Sequence, residues 1–135
     1  MTLTLTLTLT NRRNPPAPTA DNLCMLGFQR LDVYRCAVRF LALCAALTEA
    51  IPRGYCPLSD QLRRASLSIP LNIAEGSGKA GHDVARFYAI ARGSAMECAA
   101  IVDALETLGF VTPQELAEAR ELLERIVAML TKMIR

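Results

Sequence analysis

A chain of 135 residues that is 52% hydrophobic has the length and apolar content for one domain with a substantial core, and nothing in it suggests a second. The net charge of +2 singles out no partner, and the longest unbroken apolar run, Phe40 to Leu47, falls well short of the roughly 20 residues of a membrane-spanning helix, so no membrane partner is expected. Five cysteines, an odd number without a Cys-x-x-Cys pair, argue against a disulfide framework or zinc site; reduced thiols in a cytoplasmic protein are the expectation.

The opening stretch, Thr2 to Thr10, alternates threonine with leucine in the rhythm of a strand. It has no second strand to pair with, and it runs into Asn11-Arg-Arg-Asn-Pro-Pro-Ala-Pro18. A secretory signal needs a basic start and a continuous apolar centre; here threonine interrupts every leucine and the arginines come afterwards. Residues 1 to 27 are therefore expected to form a flexible tail outside the fold, with Met25 as an alternative translation start. Residues 28 to 135 make the expected domain.

Asp32 is placed to cap a first helix running to about Ala50, because an aspartate accepts from the orphan amides of a first turn. Val33, Ala37, Phe40, Cys44, Leu47 and Ile51 form one apolar stripe, flanked by Leu31, Tyr34, Val38, Leu41 and Ala45. So wide a face has to touch more than one neighbour. Pro52 to Pro57 supplies a turn, and Ser59 is placed to cap the second helix. There Leu58, Leu62, Ala65, Ile69 and Ile73 keep three- and four-residue steps across Pro70. An internal proline removes a donor and crowds the carbonyl four residues back, so a kink near Ser66 is predicted rather than a stop. Gly76-Ser-Gly78 then ends the helix, glycine being able to close it in the left-handed conformation.

A third helix is predicted from about His82 to Leu108, with Phe87, Ile90, Ser94, Cys98 or Ile101, Leu105 and Leu108 as a near-heptad seam that Gly109 stops. The fourth opens on a capping box, Thr112-Pro-Gln-Glu115, and keeps its seam through Leu116, Ala119, Leu123, Ile126, Leu130 and Met133. Helices of about 18 to 27 residues are ~27 to 40 Å long, and loops this short make neighbours antiparallel. The expected fold is all-α: an antiparallel up-down-up-down four-helix bundle with a proline-kinked second helix.

Catalytic patterns are scarce. A di-iron bundle requires Glu-x-x-His motifs, and the single histidine, His82, belongs to none. Gly76-Ser-Gly78-Lys79 resembles the end of a phosphate loop but lacks the preceding strand and first glycine, so a helix-end turn explains it. No cofactor and no enzymatic activity are expected. What stands out is polar residues inside apolar rhythm: Ser66, Ser68, Asn72 and Glu75 on the second helix, Arg92, Ser94 and Glu97 on the third, with Gly93-Ser94-Ala95 small enough for close helix approach. Breaking a buried ion pair costs about 3–5 kcal/mol, so those that enter the core should partner one another. Asn72, Glu75, Arg92, Ser94 and Glu97 are thus read as a structural polar network that sets helix register. The alternative is an enzyme or small-ligand site built from Asn72, Glu75, Arg92 and Glu97.

Charge is unevenly spread. Residues 29 to 92 carry nine Lys and Arg against five Asp and Glu; from residue 93 onward the balance is four against seven. Such asymmetry suits an anionic partner, and equally subunits that meet basic face to acidic face. Arg35, Arg39, Arg63, Arg64, Lys79 and Arg86 are the candidate nucleic-acid contacts, able to neutralise phosphates in a salt-dependent way without reading bases. Aromatic rings for stacking are sparse, with Tyr34, Tyr55, Phe87 and Tyr88 the candidates and Phe87 expected to be buried.

The segment from Leu58 to Gly76, ending Asn72-Ile-Ala-Glu-Gly76, and the segment Arg86 to Glu97, containing Arg92-Gly-Ser-Ala-Met-Glu97, resemble the bacterial four-helix-bundle proteins of intervening sequences in large-subunit ribosomal RNA genes. That family includes the accessory variability proteins of diversity-generating retroelements. The likeness extends more loosely from Phe28 to the C-terminus and leaves residues 1 to 27 without a counterpart. It implies a small cytosolic bundle that assembles as a ring of five, with retroelement members engaging nucleic acid and a reverse transcriptase through a basic ring surface and most others having no known role. Asn72, Glu75, Gly76, Arg92, Gly93, Ser94 and Glu97 match its signature, whereas the arginines of the first helix fall on a variable surface. The combined expectation is a non-enzymatic homo-oligomer, a pentamer, acting as an accessory or scaffold protein whose further partners are RNA, DNA or a nucleic-acid-processing protein.

Overall fold

The computed structural model describes residues 26–135, so nearly all of the expected tail, residues 1 to 27, and the alternative start at Met25 lie outside the described residues. Four helices follow in order: α1 (Asp32–Glu49), α2 (Cys56–Ser77), α3 (His82–Thr107) and α4 (Pro113–Met133), with short 3-10 turns at Gly27–Arg30 and Arg53–Tyr55. Among the described residues there is no strand.

Local sequence sets most of the boundaries. α4 begins as its capping box dictates, with Glu115 N donating to Thr112 Oγ1 at 3.3 Å and Thr112 N donating to Glu115 Oε2 at 3.4 Å. α3 ends at Gly109, whose φ of 75° is a left-handed conformation that a side chain would strain. Other ends differ from expectation. Asp32 is the first residue of α1 rather than its cap; Leu31 occupies the cap with no side-chain bond, because the chain arrives from a 3-10 turn whose Phe28 carbonyl accepts from Leu31 N. Ser59 is likewise buried inside α2, which starts three residues earlier out of the Arg53–Tyr55 turn with Pro57 in its first turn. Gly78 closes α2 at φ −89°, a right-handed conformation; the left-handed glycine of that connection is Gly81, at φ 64° just ahead of α3. α2 continues as helix through Pro70.

Each helix packs on two others: α1 on α2 and α4, α3 on α2 and α4. The bundle is four-sided, and the outer side between α1 and α2 lies opposite the outer side between α3 and α4. Across α2 and α3 the pairs are Gly76 with Tyr88, Ser68 with Ser94, and Gln61 with Glu97, so residue numbers run in opposite senses. Across α3 and α4, Arg92 meets Thr131 while Asp103 and Glu106 meet Arg120, again in opposite senses.

One core cluster fills the middle, with Phe40, Leu62, Ile69, Ile73, Leu105, Leu116, Ile126 and Leu130 fully buried. The stripes expected on α1, α2 and α4 supply it. That of α3 holds in part: Cys98, Ile101 and Leu105 of the expected seam are buried, but Ile90 and Leu108 are exposed, and Tyr88, Ala91, Ala95 and Val102 face inward in addition. Ala91 and Ala95 leave room for a neighbouring helix where larger residues would hold it off, so packing chooses this face over the larger apolar residues at Phe87 and Ile90.

Candidate interaction surfaces

The α2–α3 interface gathers part of the polar set. The Ser68 and Ser94 hydroxyls lie 2.8 Å apart, and Asn72 Nδ2 donates to the Ser68 carbonyl at 2.8 Å and to its hydroxyl at 3.0 Å. Further along, Gln61 Nε2 donates to Glu97 Oε1, and Arg64 donates to Gln61 Oε1 at 2.7 Å. Asn72, Ser94 and Glu97 therefore share one interface, completed by Ser68 and by Gln61, whose place in the seam the sequence reading missed. Gln61 sits seven and eleven residues before Ser68 and Asn72 on the same side of α2, and that spacing was the available signal.

Two expected members stand elsewhere. Glu75 is exposed, with Lys79 Nζ 4.0 Å away, and Arg92 reaches α4, where it donates to Thr131 Oγ1 at 3.4 Å. Arg92 and Glu97 are five residues apart, about 140° around a helix, so they serve different neighbours. Asn72, Glu75, Arg92 and Glu97 do not converge on a common point. Gly93 has no atom within 4 Å of where a side chain would begin; the close approach occurs at Gly76, against Phe87 and Tyr88. Among the described residues, no buried side-chain nitrogen or oxygen lacks a hydrogen-bond partner.

The cations divide into groups. Arg35, Arg39 and Arg63 line the outer side of α1 and α2. Arg39 is bonded to Glu118 of α4 at 2.8 Å, Arg63 is 3.8 Å from Asp60, and Arg35 Nε donates to the Gln29 carbonyl at 3.3 Å with no carboxylate within ion-pair distance among the described residues. Arg64 turns toward α3 through Gln61, Lys79 sits over the Phe87 ring at 5.5 Å, and Arg86 is exposed on α3. The rings are engaged within the chain: Tyr34 packs edge-on to Phe28, Tyr55 edge-on to Phe110, and Tyr88 is buried while Phe87 is only half-buried.

Thiol chemistry is held down by burial. Cys36, Cys44 and Cys98 are buried, and Cys56 is exposed. Burial pushes the Cys44 thiol up to about 12, the adjacent Ser66 hydroxyl pulling the other way, and burial also raises Cys98. Neither is a ready nucleophile, because the thiolate is the reactive form. Among the described residues, no three His, Cys, Asp or Glu side chains are grouped to hold a metal ion.

Besides a smaller one of about 330 Å³ along Leu43, Ala46, Leu47 and Ala50 beside Glu115, two grooves carry apolar surface left outside the core. One, of about 550 Å³, runs between α1 and α2 along Val38, Leu41, Ala45 and Leu67, and it continues through Val38 and Ala42 into a shallower trough lined by Arg35 and Arg39. The other, of about 450 Å³, runs between α3 and α4 along Met96, Ala99, Leu123, Val127 and Ala128, with Asp103, Arg120 and Glu124 among its lining residues. Arg120 is fixed there by Glu106 at 2.6 Å and Asp103 at 3.0 Å, and these bonds raise its pKa. The first groove lies along the wide apolar face of α1, and the second along Met96 and Ala99, and Leu123 and Val127, pairs that have the spacing of a helix face.

The sequence profile described as 23S rRNA-intervening sequence protein matches residues 29–132. A crystal structure of a protein of unknown function from the S23 ribosomal protein family of Bacteroides thetaiotaomicron superposes with a TM-score of 0.71 at 20% identity, covering 76% of this chain and 98% of that one. At that identity the likeness speaks for the bundle fold. No curated protein matches the chain.

Proposed function

The chain belongs to the 23S rRNA-intervening sequence protein family, and from that membership we propose that it acts as a non-enzymatic homo-oligomer, a cytoplasmic pentamer of four-helix bundles, serving as an accessory or scaffold protein. The observation that supports this reading is the disposition of its unspent surface. The core is filled and its polar groups are paired, while apolar side chains remain in two open grooves on opposite sides. Contiguous exposed apolar surface rimmed by charge is the mark of an interaction site rather than of a reaction site. The polar residues that would have formed a ligand pocket are instead divided among the α2–α3 interface, the contact with α4 and the surface, which weighs against the small-ligand alternative. Static light scattering at micromolar concentration tests the reading. A mass of several chains supports it, and a monomer ends it.

A second partner class, RNA or DNA, is favoured by Arg35 and Arg86, which have no carboxylate within ion-pair distance among the described residues. A polyanion bound along Arg35, Arg39, Arg63, Arg64, Lys79 and Arg86 would be held by phosphate contacts, and its affinity would fall as salt rises. Titration of labelled single- and double-stranded RNA and DNA at low and moderate salt decides it; absence of binding at low salt removes this partner.

A further inference from the structure

We propose that the α1/α2 groove of one copy receives the α3/α4 groove of the next, a head-to-tail contact between two different faces of the same chain. This rests on the homo-oligomeric reading above and specifies how the copies meet. The two grooves are on opposite sides of the bundle, since α1 does not pack on α3 nor α2 on α4. Each presents large apolar side chains to solvent: Val38 is 41% and Leu67 45% exposed on one side, Met96 57% on the other. Covering these removes apolar surface from water, the main driving force for association.

Charge selects which face goes with which. Arg35, Arg39 and Arg63 outnumber Glu49 along the first groove, whereas Asp103 and Glu124 outnumber Arg120 along the second. Arg35 and Glu124 have no oppositely charged side chain within ion-pair distance in their own chain among the described residues. Docking the α1/α2 face on its own twofold copy would bring two unpaired Arg35 cations into one interface, Arg39 and Arg63 being already paired with Glu118 and Asp60, and the acidic face on itself would set carboxylates against carboxylates. Like charges brought together at an interface disfavour that pairing. The head-to-tail arrangement avoids both, and such contacts close into a ring when the rotation between copies permits.

The test uses the full chain with the exposed Cys56, and Cys24 outside the described residues, changed to Ser. Leu67→Cys and Met96→Cys are introduced in separate copies, expressed singly and together, and treated with a short bismaleimide while the oligomer mass is measured in the same buffer. The expected result is a cross-linked product only from the co-expressed pair. Cross-linking within either single variant overturns the head-to-tail contact. So does an oligomeric mass with no cross-link in the pair, which leaves the homo-oligomer standing with a different interface. A monomeric mass for the unsubstituted chain removes both.

Discussion

The hydroxyl oxygens of Ser68 and Ser94 meet at 2.8 Å across the α2–α3 interface, and the same Ser68 oxygen accepts from Asn72. Two half-buried hydroxyls facing each other bond in this axial register of the helices, and sliding either helix by a turn would separate them. The bond links the two helices and should contribute to stability.

Removing either hydroxyl should cost about 1 kcal/mol, and removing both should cost less than the sum, with a coupling of at least ~0.5 kcal/mol. Urea denaturation of Ser68→Ala, Ser94→Ala and the double variant measures this cycle. Strict additivity would mean that water already serves the two groups separately.

Gly76→Ala should destabilise although alanine is the better helix former. A methyl there would lie 2.9 Å from Phe87 Cβ and 2.9 Å from Tyr88 Cε1, and Phe87 Cβ is the root of its side chain, so α2 and α3 must part. Overpacking of this kind costs about 1–3 kcal/mol, against a propensity gain of ~1 kcal/mol. A lowered urea midpoint is the expected result. A raised one would show that the interface yields freely.

Alkaline pH should weaken the fold through its buried thiols. Burial raises Cys44 from 9.0 to about 12 and raises Cys98 as well, so the folded chain keeps protons that the unfolded chain releases. This contribution is complete below pH 9.0 and is lost as pH rises toward about 12, at ~1.4 kcal/mol per pH unit per thiol within that window. Cys44→Ala should therefore show a shallower loss of stability than the unsubstituted chain in unfolding series taken at increasing pH above 9.0. Parallel slopes would remove the thiol explanation.

Met96→Arg should separate folding from assembly. Met96 is 57% exposed, so the change alters the stability of a single bundle by no more than ~0.5 kcal/mol. Placed among the lining residues of the α3/α4 groove, the charge should shift light-scattering mass toward the monomer at unchanged far-ultraviolet circular dichroism. An unchanged mass would place the subunit contact elsewhere.

Sequence alone determined the number and order of the helices, the start of α4 at its capping box, the end of α3 at Gly109, and the inward stripes of α1, α2 and α4, because caps and apolar periodicity act within a few turns of one helix. It also marked Asn72, Ser94 and Glu97 as residues that must find partners, since burying an unpaired polar group is costly. Only the tertiary structure decided which face of α3 turns inward, because the choice of Ala91 and Ala95 over Phe87 and Ile90 depends on how closely α2, with Gly76 at its end, can approach. It decided as well that Arg92 serves α4 while Glu97 serves α2, and that Met96 is left with Val127 in an open groove. Those outcomes depend on the rotation of one helix about its axis against another, and that rotation is settled by the shapes of facing side chains far apart in sequence.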